Sequence, residues 1–501
     1  MTELWQRYPV HVWYLIGYGT VLGLALLSIF WKIGQGKRRW GARAAFSGFV
    51  LAVGGLFALG YYALGGFALN REWGIGVLGL FGVAGLLFVF RANSRNVALL
   101  PLIFLLNIEG LLMLFRLSLA SGRIAETEFV KQIIFSTLGL VLMFGTMYIL
   151  KLLFLLDVHG DRLEVLGIGP LHVWSSRLIY PFLLLQRRFS YHVWLALTLI
   201  LLAIPLVLGA DMRVSLGAIQ VQPSEFVKIT FVVYLAHHLA RYRQNIGAWD
   251  EPILRRIGFL IPPLLTLALP FLGYVLQRDF GPLMLYSLLL ICMFFVGTSR
   301  LLEVAVTLLV FVSTIVLYNQ FAPLVNALVP KYASIIVDRI NIWQNPWLYT
   351  KGEQLVRSLW AVKAAGFWGL GLGTGHPEFF PSEVEHDFIF TLITHETGML
   401  GGILVVITYL LFCWQGVRIA LATKYDTAWN EDWAWLRLRL ALGCTLILFF
   451  QAMINVGGVI NFSLMTGITL PYVSYGGTSL LVSYILAGIL GFCSLTQKES
   501  Q

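Results

Sequence analysis

DFIFTLITHETGMLGGILVVITYLLFCWQ, residues 387–415, is the stretch on which the reading of the fold turns. Beyond Glu396 it holds no charged residue as far as Gln415. An apolar run of about twenty residues is the length of helix that crosses the hydrocarbon core of a bilayer. Comparable runs stand at approximately 11–31, 45–66, 73–90, 97–117, 131–150, 189–210, 222–240, 256–276, 281–298, 302–323, 435–457 and 474–495. With 387–415 they make thirteen candidate spans. The run at 222–240 starts polar and is the weakest candidate for a full crossing.

Composition agrees. Of 501 residues 58% are hydrophobic and 12% charged, and the mean hydropathy is +0.80. Soluble domains carry about 25% charged residues, so an all-α polytopic membrane protein is expected. A transmembrane β-barrel would show short alternating strands instead. The net charge of +10 fits basic cytoplasmic loops and anionic lipid rather than nucleic acid. Cys292, Cys413, Cys444 and Cys493 all fall inside apolar spans, so neither a disulfide framework nor a thiolate metal site is expected. The leading MTELWQRYPVH lacks a basic n-region and a small-residue cleavage site, so no cleaved signal peptide is expected.

Basic residues orient the spans. The first loop holds Lys32, Lys37, Arg38, Arg39 and Arg43 and should be cytoplasmic. Alternate loops continue the bias, with Arg91 and Arg95, then Arg187 and Arg188, then Arg241, Arg243, Arg255 and Arg256. The N-terminus is therefore expected outside, the C-terminus in the cytoplasm, and the long 324–386 loop on the outer face. Residues 151–188 read as a cytoplasmic loop with an interfacial segment. The 49 glycines read chiefly as close helix packing, and the 16 Trp and 20 Tyr as much of an interfacial belt.

A loop as long as 324–386 is uncommon without a function. It carries RINIWQNPW, KGEQLVRSLWAVKAAG and a glycine run at 369, 371, 373 and 375, which allows close backbone approach or sharp turns. Asp387 stands at its end, where it could cap the following span. Two further polar clusters lie toward the same side. Gln222-Pro223-Ser224-Glu225 precedes Lys228, with Pro223 placed to open a helix and Gln222 or Ser224 to cap it. Glu225 and Lys228 share a helical face and can pair, as structure or as a functional charge at the edge of lipid. Gln277-Arg278-Asp279-Phe280-Gly281 is a short outward turn, and alone would be only that. The final outward loop adds Asn455 and Pro471-Tyr472-Val473-Ser474-Tyr475-Gly476-Gly477, which suits a turn buried in protein. Glu109, inside the fourth span, must face the bundle interior and find a partner or be protonated.

Together these pieces resemble the SEDS family, whose members include RodA and FtsW. The resemblance covers about 97–495. It rests on QPSEFVK at 222–228, LQRDFG at 276–281, RINIWQNPW at 339–347, GEQLVRSLWA at 352–361, GLGLGTG at 369–375, DFIF at 387–390 and LPYVSYGGTSLL at 470–481. Each is weak alone, and specific in this order. The resemblance implies a ten-span glycosyltransferase core at 97–495 that includes the 324–386 loop. Three extra spans at 1–96 would precede it and a short cytoplasmic tail at 496–501 would follow.

It also implies an inverting enzyme that polymerises lipid II, with a class B penicillin-binding protein as partner. The family's essential aspartate corresponds to Asp387. Glu225, Lys228 and Asp279 correspond to further motif residues, and Ser474, Gly476 and Gly477 join the substrate-binding set. Departures occur: Arg278 replaces a proline, His395-Glu396 replaces a pair of acids, and Met212-Arg213 stands where an arginine is shifted.

Lipid II presents its sugars and diphosphate at the outer leaflet, where these clusters are expected. A positioned carboxylate can deprotonate the attacking hydroxyl, and a leaving diphosphate needs positive charge. That charge could come from Lys228, Arg213, Arg278, Arg339 or Lys363, or from a divalent cation such as Mg or Mn. Two competing readings stand beside this one. Intramembrane Glu109 and a broken last span would suit a flippase for lipid-linked precursors, and the altered THETG motif would suit a noncatalytic scaffold.

Overall fold

The computed structural model describes Tyr18 and residues 99–120, 126–163, 192–204, 214–216, 219–241, 280–298, 338–374, 380–424 and 431–495. The spans expected near 45–66, 73–90, 256–276 and 302–323, most of that near 11–31, and the residues Arg213, Arg278 and Asp279 lie outside them. Among the described residues the chain is helical, with helices α1 (Leu99–Ala120), α2 (Glu126–Leu163), α3 (His192–Ile204), α4 (Pro223–Arg241), α5 (Phe280–Thr298), α6 (338–344), α7 (Glu353–Ala365), α8 (Ile389–Lys424), α9 (Glu431–Val459) and α10 (Gly477–Cys493). Four of these contain stretches long and apolar enough to cross a membrane: Leu99–Leu119, Thr127–Leu153, Ile389–Thr423 and Trp433–Val459. Shorter apolar helices cover His192–Ile204, Gly281–Val296 and Gly477–Cys493. The chain is a helical membrane protein with several apolar spans.

Two features depart from the expectation. One is a small antiparallel hairpin, Val214–Leu216 paired with Ile219–Val221, so the fold is not wholly α. Alternating Val, Leu and Ile around Gly217-Ala218 is a short-hairpin pattern, too brief to register among apolar runs of span length. The other is α2, which runs on through Leu163 into the stretch read as a loop. Its 38 residues would extend about 57 Å, beyond the ~30 Å hydrocarbon core.

The chain divides into two compact units. The first comprises 1–140, 333–415 and 448–480; the second comprises 141–332, 416–447 and 481–501.

In the first unit α1 is the central helix. Its apolar window is 89% buried, whereas on the part of α2 in this unit Ile134 and Leu138 stay exposed. That burial accounts for polar residues on α1 that lipid would not tolerate: Asn107, Glu109 and Arg116 are all buried. Tyr18 is buried too, with its hydroxyl 3.2 Å from that of Thr408 and Glu109 an electrostatic neighbour. The segment 338–374 is a set of short helices that exposes Trp343, Trp347, Trp360 and Trp368. The rings of Trp347 and Trp360 are 5.8 Å apart. Aromatic residues of this kind favour the boundary between lipid and water.

In the second unit glycines let helices touch, as expected from their scatter. A methyl on Gly416 would collide with Thr445, and one on Gly488 would sit 2.5 Å from the Met143 carbonyl. Arg437, fully buried on α9, donates to the Cys493 carbonyl at 2.7 Å and also to that of Leu495. A cation at the end of α10 satisfies carbonyls that the helix leaves open and opposes its dipole.

Candidate active site around Asp387

Asp387 closes a tight turn over 382–387 just ahead of α8. The N–H groups of His386, Asp387 and Phe388 all converge on the Glu383 carbonyl, at 3.2, 3.1 and 3.3 Å. The helix begins at Ile389, so the capping position falls to Phe388, whose carbonyl accepts from Thr391 N–H at 2.8 Å. Asp387 is half-buried, and its Oδ2 lies beside the exposed Gly467, 3.5 Å from where a β-carbon there would stand.

The 464–476 segment forms the other wall. It is irregular backbone buried in protein, and its carbonyls are met by side chains from surrounding helices. Gln451 donates to the Thr469 carbonyl (2.9 Å), Tyr409 to Pro471 (2.5 Å), Asn107 to Tyr472 (3.0 Å) and Gln132 to Ser474 (3.1 Å). The Ser474 hydroxyl accepts from Leu470 N–H at 2.8 Å, so that predicted substrate residue has a local backbone duty. Gly477 faces the Phe135 ring so closely that a methyl would reach 2.6 Å from it, whereas Gly476 has room.

The turn and this wall are joined directly. Tyr475 N–H donates to the Glu385 carbonyl and His386 Nδ1 donates to that of Tyr475, both at 2.9 Å. Asn455 Nδ2 donates to the Asp387 carbonyl at 2.8 Å and to the Ile468 carbonyl at 2.7 Å. Arg339 reaches Met465 O at 2.6 Å. Lys363 is exposed in the last turn of α7. Asp387, Arg339, Ser474, Gly476 and Gly477 thus share one unit and one loop system.

A second carboxyl on the turn, Glu385, had no role in the sequence reading. Partial burial holds it above the usual carboxylate range, helped by the nearby acids Glu383 and Glu128 and opposed by its own backbone N–H and by His386. Its Oε2 is buried and makes no hydrogen bond.

The glycine run has a definite partner. Leu370 and Gly371 donate to the carbonyls of His395 and Glu396 at 3.1 and 3.0 Å, while Met399 and Leu400 donate to those of Gly366 and Phe367 at 3.0 and 3.2 Å. This ladder forms where α8 breaks at Gly398, with φ 77° and ψ 179°. Gly369 (φ 84°) faces Gly398, and a β-carbon on either would overlap the other's backbone. Glu396 then secures the loop. One carboxylate oxygen takes Arg116 Nε at 2.8 Å and the other takes Gly373 N–H at 3.2 Å, with both side chains buried. His395 Nδ1 donates to the Ala361 carbonyl at 2.9 Å and so ties α7 to α8.

Glu225 and Lys228 lie in the second unit. The hairpin leads through Gln222 into α4, which opens on Pro223, and Glu225 N–H donates to Gln222 O at 3.1 Å. Lys228 Nζ pairs with Glu225 Oε2 at 2.6 Å, with the two side chains only 4% and 12% exposed. Glu225→Gln removes one charge from a pair with little water around it and should cost on the order of 3 kcal/mol. We expect the thermal midpoint in detergent to fall together with activity. Lost activity at an unchanged midpoint would assign the pair to substrate instead.

The sequence reading missed the roles of Gln132, Gln451, Tyr409 and Arg116. An amide or a cation inside an apolar span is itself the available signal, since it must have a partner there.

Comparison with known proteins accords with this architecture. The profile of the FtsW, RodA and SpoVE family of cell cycle proteins matches residues 162–499. Stage V sporulation protein E of Bacillus subtilis is 32% identical over 285 residues, 56% of this chain and 70% of that one. Peptidoglycan glycosyltransferase RodA of Mycobacterium tuberculosis is 29% identical over 441 residues, 84% of this chain and 82% of its own length. A solved chain from a peptidoglycan synthase complex that coordinates polymerization and crosslinking superposes with a TM-score of 0.55 at 22% identity. That superposition covers 79% of this chain and 96% of the other, which shows a shared fold. With well over half its length inside the profile, the chain belongs to the FtsW/RodA/SpoVE family, the SEDS family that its motifs resemble.

Proposed function

We propose that this protein is a peptidoglycan glycosyltransferase that polymerises lipid II into glycan strands at the outer face of the cytoplasmic membrane. Family membership and relatives named peptidoglycan glycosyltransferase support the reaction class. The observation that carries the assignment to residues is the setting of Asp387. It is an acid next to an exposed glycine, on a turn whose main chain is held at both its N–H and its carbonyl.

In this reading the Asp387 carboxylate takes the proton of the acceptor hydroxyl as that oxygen bonds to the anomeric carbon. The bond from that carbon to the diphosphate oxygen breaks, its electron pair leaves with undecaprenyl diphosphate, and the configuration inverts. A positioned base is worth about 100- to 10,000-fold. Arg339 and Lys363, in the same unit as Asp387, are the described candidates there to balance the leaving charge. Among the described residues no group of three or more His, Cys, Asp or Glu side chains is gathered to hold a metal ion. A divalent cation held by the diphosphate and one or two carboxylates would supply further positive charge there.

The wider assignments follow the same reading. Residues 97–495 form the catalytic core, 1–96 a three-span extension, 324–386 the outer loop and 496–501 a cytoplasmic tail. The fold shared with a chain of a complex that combines polymerization and crosslinking supports a class B penicillin-binding protein as partner. The flippase alternative draws on Glu109 as a transport charge and on the broken last span; the polar residues around Asp387 instead gather in one loop system, which favours the polymerase reading.

Purified protein, with its transpeptidase partner, incubated with labelled lipid II should yield glycan strands resolvable on a gel. Unchanged lipid II under those conditions would remove the polymerase reading. Topology is a separate expectation. The basic loop at 32–43 resists translocation, so a tag on the N-terminus should be reachable from outside intact cells and one on the C-terminus should not. An N-terminal tag confined to the cytoplasm would mean that the spans before 97 have been miscounted.

A further inference from the structure

Asn455 is buried on α9, and its amide bonds both the Asp387 main chain and the 464–468 segment beside the Asp387 carboxylate. We propose that Asn455 is a positioning residue for the transfer reaction. Its amide fixes the main chain of Asp387 against Thr466-Gly467-Ile468 and so sets where the carboxylate stands. The proposal rests on Asp387 being the base.

The geometry allows one orientation of the amide. An Asn nitrogen carries two hydrogens and no lone pair to share. Both hydrogens are matched by carbonyls, Asp387 at 2.8 Å and Ile468 at 2.7 Å. Turned over, the amide would set its oxygen against two carbonyl oxygens. As placed, Oδ1 is buried without a hydrogen-bond partner. A buried acceptor left unmade is costly, so what this residue contributes lies in its two donors.

Those donors complete the restraint on Asp387. Its N–H is already held by the Glu383 carbonyl at 3.1 Å, and Asn455 holds its C=O. With both peptide groups fixed, the side chain retains only its rotamers. The same amide draws in Ile468, whose neighbour Gly467 lies against Oδ2 of Asp387. Displacing a reacting group by about 1 Å can cost ~100-fold.

Gln451, one turn earlier on α9, provides the internal control. It is equally buried and donates to the Thr469 carbonyl at 2.9 Å, so it bonds the same loop from the same helix one residue past the Ile468 carbonyl that Asn455 holds. Asn455→Ala and Gln451→Ala in the full-length protein would be compared by lipid II polymerisation and by thermal midpoint. At matched midpoints, Asn455→Ala should lose at least ~10-fold in kcat with KM changed by less than about twofold. Gln451→Ala should lose less than about threefold in kcat.

Asn455→Asp gives a second readout. It places a carboxylate near Asp387, and a like charge raises the pKa of its neighbour. The acid limb of the pH–rate profile should then move to higher pH, with activity partly recovered as pH rises. The shift reports that position 455 stands against Asp387, and the two alanine variants then separate positioning from general support of the loop. Equal losses in the two alanine variants, or an unmoved acid limb, would overturn the proposal. Retained activity in Asp387→Asn would instead remove the base assignment beneath it, so the two failures are told apart.

Discussion

Asp387→Asn should abolish glycan polymerisation, a loss of at least ~100-fold, and leave membrane insertion, folding and partner binding intact. The substitution keeps the size of the side chain and cannot alter what the main chain does. The Asn455 bond to the residue-387 carbonyl and the Glu383 bond to its N–H both remain. Helix capping is not at issue, because Phe388 occupies the cap position and Asn caps about as well as Asp in any case. What disappears is the capacity to accept a proton. A carboxylate that held a divalent ion would be lost too, and these roles separate in a titration. Added Mg or Mn at fixed lipid II should rescue a weakened metal site but not a missing base. Polymerisation near the wild-type rate would sink the assignment and raise the flippase and scaffold readings together.

The parts of this site that could be read from sequence are those set by local chemistry. Pro223 at a helix start, the i,i+3 spacing of Glu225 and Lys228, and the apolar runs behind α1, α8 and α9 each follow from a few neighbouring residues, and the structure carries them. The glycine run was legible as a close approach, but not what it approaches. The ladder partners of 366–371 lie about thirty residues on, at the α8 break, and nothing in THETGMLGG pairs it with the glycine run. The polar turn after Leu470 was legible as buried backbone. Its donors Asn107 and Gln132 were not, since they stand more than 300 residues away. Side-chain amides contacting carbonyls across such separations leave no periodic trace. They show only as isolated polar residues in apolar helices, and the partner of each is fixed by packing.

Of the ion pairs among the described residues, Arg116 and Glu396 should be the most costly to break. The Arg116 side chain is 7% exposed and that of Glu396 fully buried, at 2.8 Å. Arg116→Leu leaves the Glu396 carboxylate without its cation, a loss of about 3–5 kcal/mol for a buried pair. The effect should appear in the glycine loop, because the same carboxylate accepts from Gly373 N–H and the next bond of the ladder uses the Glu396 carbonyl. Hydrogen exchange at Gly371 and Gly373 should rise more than at α9. Glu396→Gln should be milder, since an amide oxygen can still accept one of these two donors. The double variant Arg116→Leu with Glu396→Gln tests the coupling. With no charge left stranded, it should recover at least half of the stability that Arg116→Leu loses, since contacting pairs are non-additive by about 0.5–3 kcal/mol. Losses that simply add would mean that the two charges are not coupled, and that the ladder at Gly369 and Gly398 holds the loop unaided. Non-additive recovery would place the ion pair in the scaffold that supports α8 nine residues beyond Asp387, where a shift in the helix start would be felt by the Asp387 turn.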